Sequence, residues 1–408
     1  MVVLGDVGRS PRMQYHALAL ADAGAEVDLI GLAGSAPFAG VREHPNIHLN
    51  RLRDGGRPGD AGPFVVPALL RAVRQAVALS TALAGRRHDV ILAQSPPALP
   101  TVAVALLAAR LRGARLVIDW HNLGHAVLAL RLGDAHPAVG VARRAEAAFG
   151  RRADAHLCVS RAMQRALAER WGIEAALLYD RPARQFGPLA PERREAVVQR
   201  LCHRLGCDST GRPAVVISPT SWTADEDFPL LIEALAHCEA RLQAVDRAAP
   251  LLVLLTGTGP LRADYERRLA RLPRARVHAH ALWLSPDEYP AMLASADLGL
   301  SLHRSASGLD LPIKIADMFG AGVPVCALDY GACLREVVRP GENALLFSSA
   351  ADLAEHLCTL ACRAPADTAS LARLRAGAAA AAAERWDDAW RRDAAAVVLG
   401  DAVAHERA

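Results

Sequence analysis

Lysine is almost missing from this chain. Lysine and arginine together number 47 in 408 residues, and Lys314 is the single lysine among 46 arginines. An ammonium is a compact point charge, whereas a guanidinium is a broad planar fork, so a tight diphosphate or sugar pocket can accept the first and exclude the second. Chance placement of a rare residue is the alternative. The eight cysteines contain no CxxC pair and no Cys/His metal spacing, which fits a reducing compartment and argues against structural zinc. Long apolar runs are missing too. The longest, from Ala98 to Arg110, reaches about 12 residues against the roughly 20 that cross a bilayer, and nothing at the start reads as a signal peptide. A net charge of +4 is too mild to imply nucleic acid, and 52% hydrophobic with 22% charged residues excludes a disordered chain.

What is present is alternation. Short apolar runs at Val2-Leu4, Glu26-Leu32, Asp89-Ala93, Arg115-Asp119 and His156-Val159 are interleaved with helical stretches beginning at Pro11, Pro67, Thr101 and Arg161. After Tyr179-Asp180-Arg181-Pro182-Ala183 the pattern restarts, with strands at Ala214-Ile217, Leu251-Thr256, Val277-His280, Leu298-Leu302 and Pro324-Ala327. Strand-helix alternation predicts two α/β domains of Rossmann type with parallel sheets and an interdomain cleft. The expected limits are 1–182, 183–372 and a carboxy-terminal helical segment 373–408. In that segment Trp386 and Trp390, one turn apart, give a face able to dock on the first domain.

In parallel sheets ligands bind beyond the carboxyl ends of the strands, which directs attention to four loops. Gly5-Asp6-Val7-Gly8-Arg9-Ser10-Pro11-Arg12 follows the first strand. Its glycines allow a tight turn, Ser10 can cap the next helix and Pro11 suits its first turn, so free backbone N–H groups with Arg9 and Arg12 beside them predict an anion site. Asp6 can act as general base or simply bond local N–H groups. Asp119-Trp120-His121-Asn122 ends a second strand and, with Gln94-Ser95, can meet sugar hydroxyls. In the second domain Thr220-Ser221-Trp222-Thr223-Ala224-Asp225-Glu226-Asp227 imitates an Asp-x-Asp metal motif, although carboxylates before a helix also suit its positive end. Thr256-Gly257-Thr258-Gly259 is another strand-to-turn glycine loop. Finally, Ser307, Gly308 and Leu309 can offer backbone donors to a diphosphate, with Lys314 adding charge and Asp317 accepting a ribose hydroxyl.

These strings, Gly5-Asp-Val-Gly-Arg-Ser-Pro-Arg-Met-Gln, Val117-Ile-Asp-Trp-His-Asn, Thr220-Ser-Trp-Thr-Ala-Asp-Glu-Asp-Phe, Ser307-Gly-Leu-Asp-Leu-Pro-Ile-Lys and Asp317-Met-Phe-Gly, together resemble the chitobiosyldiphosphodolichol β-mannosyltransferase family over almost the whole chain. The resemblance implies a GT-B fold. It also implies transfer of mannose from GDP-mannose, with inversion, to O4 of the outer GlcNAc of polyprenyl-diphosphate-linked chitobiose, at the cytosolic face of a membrane, the endoplasmic reticulum in a eukaryote. It assigns the donor to Ser221, Gly257, Gly259, Trp283, Leu284, Ser307, Gly308, Leu309, Asp310, Lys314 and Asp317, with Trp283-Leu284 beside the guanine. Gly8, Arg9, Ser10, Arg12 and Asn122 fall to the acceptor and its diphosphate. Asp6 is the leading base and His121 the second. No tightly bound cofactor is expected, and Mg2+ stimulation is left open. Family members commonly begin with a membrane anchor, which this sequence is not expected to supply, so the expectation here is a peripheral meeting with the membrane. The segment Pro63-Phe64-Val65-Val66-Pro67-Ala68-Leu69-Leu70-Arg71 with Arg74 is the expected contact. Complexes with other glycosyltransferases of lipid-linked oligosaccharide assembly are a further implied partnership. A retaining GT-B enzyme with another acceptor and a GT-B sugar-nucleotide epimerase are the alternatives.

Overall fold

The computed structural model describes residues 1–53, 65–207, 212–245, 248–273, 275–362 and 365–400. They form two compact units, Met1–Asp180 with Trp386–Ala408, and Arg181–Arg385.

Among the described residues the first unit holds strands β1 (Val2–Asp6), β2 (Val27–Leu32), β3 (Ile47–Leu52), β4 (Val90–Ser95), β5 (Arg115–Trp120), β6 (Ala155–Cys158) and β7 (Ala176–Leu177), in the order β3-β2-β1-β4-β5-β6-β7. Every pairing is parallel. The strand order reverses at β1 and β4, the position where a parallel sheet opens a crevice for ligand. The second unit holds β8 (Ala214–Pro219), β9 (Leu251–Thr256), β10 (Val277–Leu282), β11 (Leu298–Ser301), β12 (Val325–Leu328) and β13 (Ala344–Phe347), in the order β10-β9-β8-β11-β12-β13 and again all parallel. Its switch lies at β8 and β11. Strands β8 and β9 are buried along their whole length, which is why they read as unbroken apolar runs.

Three strands escaped the apolar-run reading, and all are edges of their sheets: β3, β7 and β13. An edge strand has one wet flank, so Ile47–Leu52 mixes His48, Asn50 and Arg51 with its apolar residues and loses the signal.

The carboxy-terminal tryptophans are anchors. Trp386 and Trp390 are buried against the helix Pro11–Asp22. The Trp386 ring lies 5.6 Å from Tyr15 and edge-on to His16 at 5.2 Å, and the Trp390 indole N–H donates to His16 Nδ1 at 2.9 Å. Burial of two such rings contributes several kcal/mol. The helix Pro365–Ala381 belongs to the other unit, so the segment 373–408 is shared between the two, with the division at Arg385.

Among the described residues no helix is long and apolar enough to cross a membrane. Of the expected membrane contact, Pro63 and Phe64 and the side chains of 65–69 lie outside the described residues; the backbone from Val65 begins the helix Val65–Ala84.

Candidate active site

In the first unit the loop after β1 tightens into a single 3-10 turn, Val7–Arg9, before the helix Pro11–Asp22. Asp6 organises that turn. Its Oδ1 accepts from Gly8 N–H at 3.0 Å, and Ser35 N–H donates to both carboxylate oxygens, at 2.8 Å to Oδ2. Gly8 is needed for close approach, because a Cβ there would lie 2.4 Å from the Ser35 carbonyl oxygen. Ser10 stands at the N-cap position, yet its hydroxyl donates back to the Asp6 carbonyl at 2.9 Å and makes no side-chain cap bond, contrary to the expected capping role. Arg9 is exposed on the turn.

Arg12 requires a correction. Expected beside the acceptor diphosphate, the residue is only 1% exposed. Nε and Nη2 donate to the two oxygens of Asp119 at 2.7 and 2.9 Å, and Nη1 donates to Asp180 at 2.7 Å and to the Leu178 carbonyl at 3.1 Å. Its charge is spent inside the domain. Burial alone would raise the Asp119 carboxyl, but Arg12 and His16 hold it far below the usual carboxylate range; burial keeps His16 neutral at physiological pH by lowering it from 6.5. Trp120 is likewise structural, its indole N–H donating to His156 Nδ1 at 3.2 Å.

Around the carboxyl ends of β4 and β5, and in the helical segment Ala98–Val102 that follows β4, stand polar atoms with no hydrogen-bond partner. Gln94 Oε1, Ser95 Oγ, Thr101 Oγ1 and His121 Nδ1 are all buried and make no hydrogen bond among the described residues. His121 is fixed through its backbone N–H to the Ser95 carbonyl at 2.9 Å, and Asn122 accepts from Leu123 N–H at 2.7 Å. Each unmet buried group costs about 1–3 kcal/mol, a cost that hydroxyl groups of a bound molecule would offset. Asp6 ends β1 and His121 follows β5, two strands apart and so roughly 10 Å across the sheet.

In the second unit the loop after β8 receives the decisive charge from a helix elsewhere in the unit. Lys314, on the first turn of the helix Ile313–Gly320, places Nζ 2.7 Å from Glu226 Oε1 and 3.3 Å from Ser221 Oγ. Glu226 is buried, and its Oε2 accepts from both Ser221 N–H and Trp222 N–H at 2.9 Å. One carboxylate oxygen is therefore consumed by the loop backbone and one is left for the cation. A guanidinium pairs best with both oxygens at once, whereas an ammonium needs one. This geometry gives the lone lysine its physical reason. Glu226 was not singled out from sequence, because Asp225 and Asp227 on either side imitate a metal motif. Those two are otherwise engaged: Asp225 Oδ2 lies 3.5 Å from His303 Nδ1, and Asp227 pairs with Arg304 at 2.7 Å while capping the helix Phe228–Gln243 through Leu230 N–H.

The turn that aims Glu226 is strained. Trp222 adopts φ +52, costly for a bulky residue, and is held there by stacking on Phe228 at 4.8 Å and by its indole N–H donating to the Gly257 carbonyl at 3.2 Å. Gly257 and Gly259 lie directly on this turn; a Cβ at either would come within 2.1 and 1.9 Å of the Thr220 and Ser221 carbonyl oxygens. Their role is to let two loops touch.

Asp310 is the hub of the adjoining loop. Its Oδ2 pairs with His303 Nε2 at 2.9 Å, and its Oδ1 accepts from the Ser305 hydroxyl and, at 3.3 Å, from Ser307 Oγ. Burial opposes a charged His303, but Asp225 and Asp310 on either side outweigh it and raise the imidazole from 6.5 to about 9. Ser307 Oγ also accepts from Leu309 N–H at 3.2 Å, and Gly308 is exposed at φ +71. Asp317 is buried within its helix. At the end of β10, Trp283 is 51% exposed and Leu284 buried; β10 lies two strands from β8, roughly 10 Å away. His303, like Glu226, was missed, since a histidine beside Arg304 carries no local signal.

Two parallel sheets with switch-point loops, a phosphate-compatible lysine in one unit and a hydroxyl-compatible edge in the other define a GT-B glycosyltransferase. The family model described as "Glycosyl transferase 4-like domain" matches residues 8–179, and that described as "Glycosyl transferases group 1" matches 215–363. Among solved structures, Anabaena Alr3699/HepE in complex with UDP and glucose superposes with a TM-score of 0.65 at 18% identity, covering 99% of this chain and 97% of that one. Such a likeness speaks to the fold. Sequence relatives go further: the chitobiosyldiphosphodolichol beta-mannosyltransferase of Mus musculus is 39% identical over 96% of this chain and 87% of its own length, and that of Homo sapiens 38% over 95% and 90%. A protein of Arabidopsis thaliana named UDP-glycosyltransferase TURAN is 38% identical over 96% and 94%. The chain belongs to the chitobiosyldiphosphodolichol β-mannosyltransferase family and is an enzyme of glycosyl transfer.

Proposed function

We propose that the enzyme transfers mannose from GDP-mannose, with inversion, to O4 of the outer GlcNAc of a polyprenyl-diphosphate-linked chitobiose, at the cytosolic face of a membrane. The observation that carries this reading is Lys314, the one lysine of the chain, set by Glu226 and Ser221 on a switch-point loop. There its charge opposes that of a departing nucleoside diphosphate, the group whose charge grows most in the transition state. Exposed Trp283 supplies a surface for the guanine, and Asp310 and Asp317 are the carboxylates for mannose and ribose. Inversion needs one displacement, with a base to take the O4 proton. We assign that base to His121 ahead of Asp6: the Asp6 carboxylate already accepts from two loop N–H groups, while His121 Nδ1 makes no hydrogen bond. Arg9, exposed on the first loop, is the candidate for the acceptor diphosphate in place of Arg12.

The test is a transfer assay with GDP-mannose and a short-chain polyprenyl-diphosphate chitobiose, run beside UDP-sugars because one relative is named for UDP. A β-1,4-linked mannose from GDP-mannose alone is expected. An α-linked product would mean a retaining enzyme, and sugar-nucleotide turnover without acceptor an epimerase. In the same assay His121→Ala should lose more turnover than Asp6→Asn at unchanged GDP-mannose affinity; the reverse order returns the base to Asp6.

A further inference from the structure

The strand end that carries His121 is held by a carboxylate from another helix. β5 finishes at Trp120, and after His121, Asn122 and Leu123 the helix Gly124–Leu132 begins. The first N–H groups of a helix have no partner inside it and need an acceptor from elsewhere. Leu123, at the N-cap position, is buried and has no polar side-chain atom to offer. The acceptor is Glu146, on the helix Pro137–Gly150 and 21 to 22 residues further on. Its Oε1 accepts from Gly124 N–H at 2.5 Å, and its Oε2 accepts from His125 N–H at 3.2 Å and meets His125 Nδ1 at 2.5 Å. A carboxylate also suits the positive end of the helix dipole.

Glu146 is 1% exposed, and its ion-pair partner among the described residues is His125. Arg143 and Arg144 of the same helix are exposed. A carboxylate that deep, with no guanidinium beside it, is costly to bury unless both oxygens are well bonded. The contacts it makes converge on His121. Glu146 and Gly150 are one turn apart on one face of their helix, and they pack on either side of that histidine in sequence. A Cβ at Gly150 would lie 3.0 Å from Cζ2 of Trp120, the residue before it; a Cβ at Gly124, beyond it, would lie 2.9 Å from Glu146 Oε1 and 3.1 Å from Pro96 Cβ. His125 adds a second route, since its ring stands 5.9 Å from that of Trp171, which stands 5.6 Å from Trp120. Every backbone N–H from His121 to His125 thus has an acceptor: the Ser95 carbonyl for His121 and Asn122, the Asn122 side chain for Leu123, and Glu146 for Gly124 and His125. The His121 Nδ1 stays buried without a hydrogen bond among the described residues.

We infer that Glu146 is a positioning residue for transfer: by fixing Gly124 and His125 it sets the backbone that presents His121 Nδ1 to the acceptor hydroxyl. It touches no reacting atom and acts through His121. The inference rests on the functional reading above, which gives His121 the acceptor proton, and deepens it by naming what holds that base. Glutamine at 146 keeps the volume but replaces one acceptor oxygen by an NH2 group, so a donor meets a donor at one end and the turn shifts. A displacement of about 1 Å at a reacting group is enough for a loss on the order of a hundredfold.

The experiment is a double-mutant cycle on the full chain, in the GDP-mannose transfer assay with the short-chain acceptor: parent, Glu146→Gln, His121→Ala and the two combined, each with a melting curve. Glu146→Gln should lower kcat on the order of a hundredfold with the KM for GDP-mannose unchanged. In the His121→Ala background it should cost nothing further, because the group it positions is gone. A change that only loosened the fold would lower turnover equally in both backgrounds. Gly124→Ala approaches the same contact from the other side. Alanine for glycine in a helix ordinarily raises stability, so here kcat should fall while the melting temperature does not. If Glu146→Gln fails to fold, Gly124→Ala takes its place in the cycle. Additive losses, or parent-like kcat in the folded variants, overturn the proposal and leave His121 as the base. A parent that transfers nothing, or His121→Ala with parent-like turnover, overturns the functional reading and takes the proposal with it.

Discussion

The two units use the same sheet plan, and the cations beside their switch-point loops are treated in opposite ways. In the first, the strongest ionic cluster, Arg12 with Asp119, Asp180 and neutral His16, is sealed under Trp386 and Trp390. In the second, Lys314, on the first turn of its helix, and His303 are tethered by Glu226 and Asp310 but remain half-buried. Both cations stand next to a strand-end loop rich in small residues. A basic residue beside such a loop therefore does not define an anion site; what decides is whether distant carboxylates have claimed every donor.

The largest effect that follows is on Arg12. Arg12→Met removes one partner of a buried charge network and leaves Asp119 and Asp180 uncompensated, which costs about 3–5 kcal/mol. The first unit should melt well below the parent, with early exposure of Trp386 and Trp390 in fluorescence. Arg12→Lys should recover little, because one ammonium cannot reproduce the fork that reaches two carboxylates. A melting temperature equal to the parent's would mean the cluster is not structural.

Next is Lys314→Arg. Glu226 offers one free oxygen, so the wider guanidinium is displaced from the position proposed above for the diphosphate, and kcat/KM for the sugar nucleotide should fall on the order of tenfold, about 1.4 kcal/mol, with unchanged melting. Parent-like kinetics would leave the rarity of lysine a matter of composition.

The smallest is a pH effect in the second unit. His303 is raised from 6.5 to about 9 in the fold, so its pairing with Asp225 and Asp310 contributes fully below about pH 6.5 and is lost as pH rises through 9, a change on the order of 3 kcal/mol. The second unit's melting temperature should decline between pH 7 and 10, and His303→Gln should flatten that decline. An equal slope in the variant would assign it to other groups.

Much of this architecture is legible in the sequence, and the failures share one cause. Buried strands such as Leu251–Thr256 announce themselves, and the Trp386/Trp390 spacing points to a docked helix, because those signals are local. The partners of Arg12 lie 107 and 168 residues away, and nothing near Gly8 or Ser10 reveals them. Glu226 is hidden by its acidic neighbours; only the φ +52 turn at Trp222, which aims one carboxyl inward, separates it from Asp225 and Asp227. Lys314 stood out through scarcity, but the reason for a lysine, a carboxylate with one oxygen already taken, is a property of backbone geometry.

The central claim is that the Arg12 cluster of the first unit is structural, and that the Lys314–Glu226 pair of the second serves the proposed donor site. Measuring thermal melting and kcat/KM side by side for Arg12→Met and Lys314→Arg, at a temperature where both are folded, tests it directly. The account predicts that Arg12→Met loses melting temperature and keeps kcat/KM, while Lys314→Arg keeps melting temperature and loses kcat/KM. The opposite pairing would contradict it.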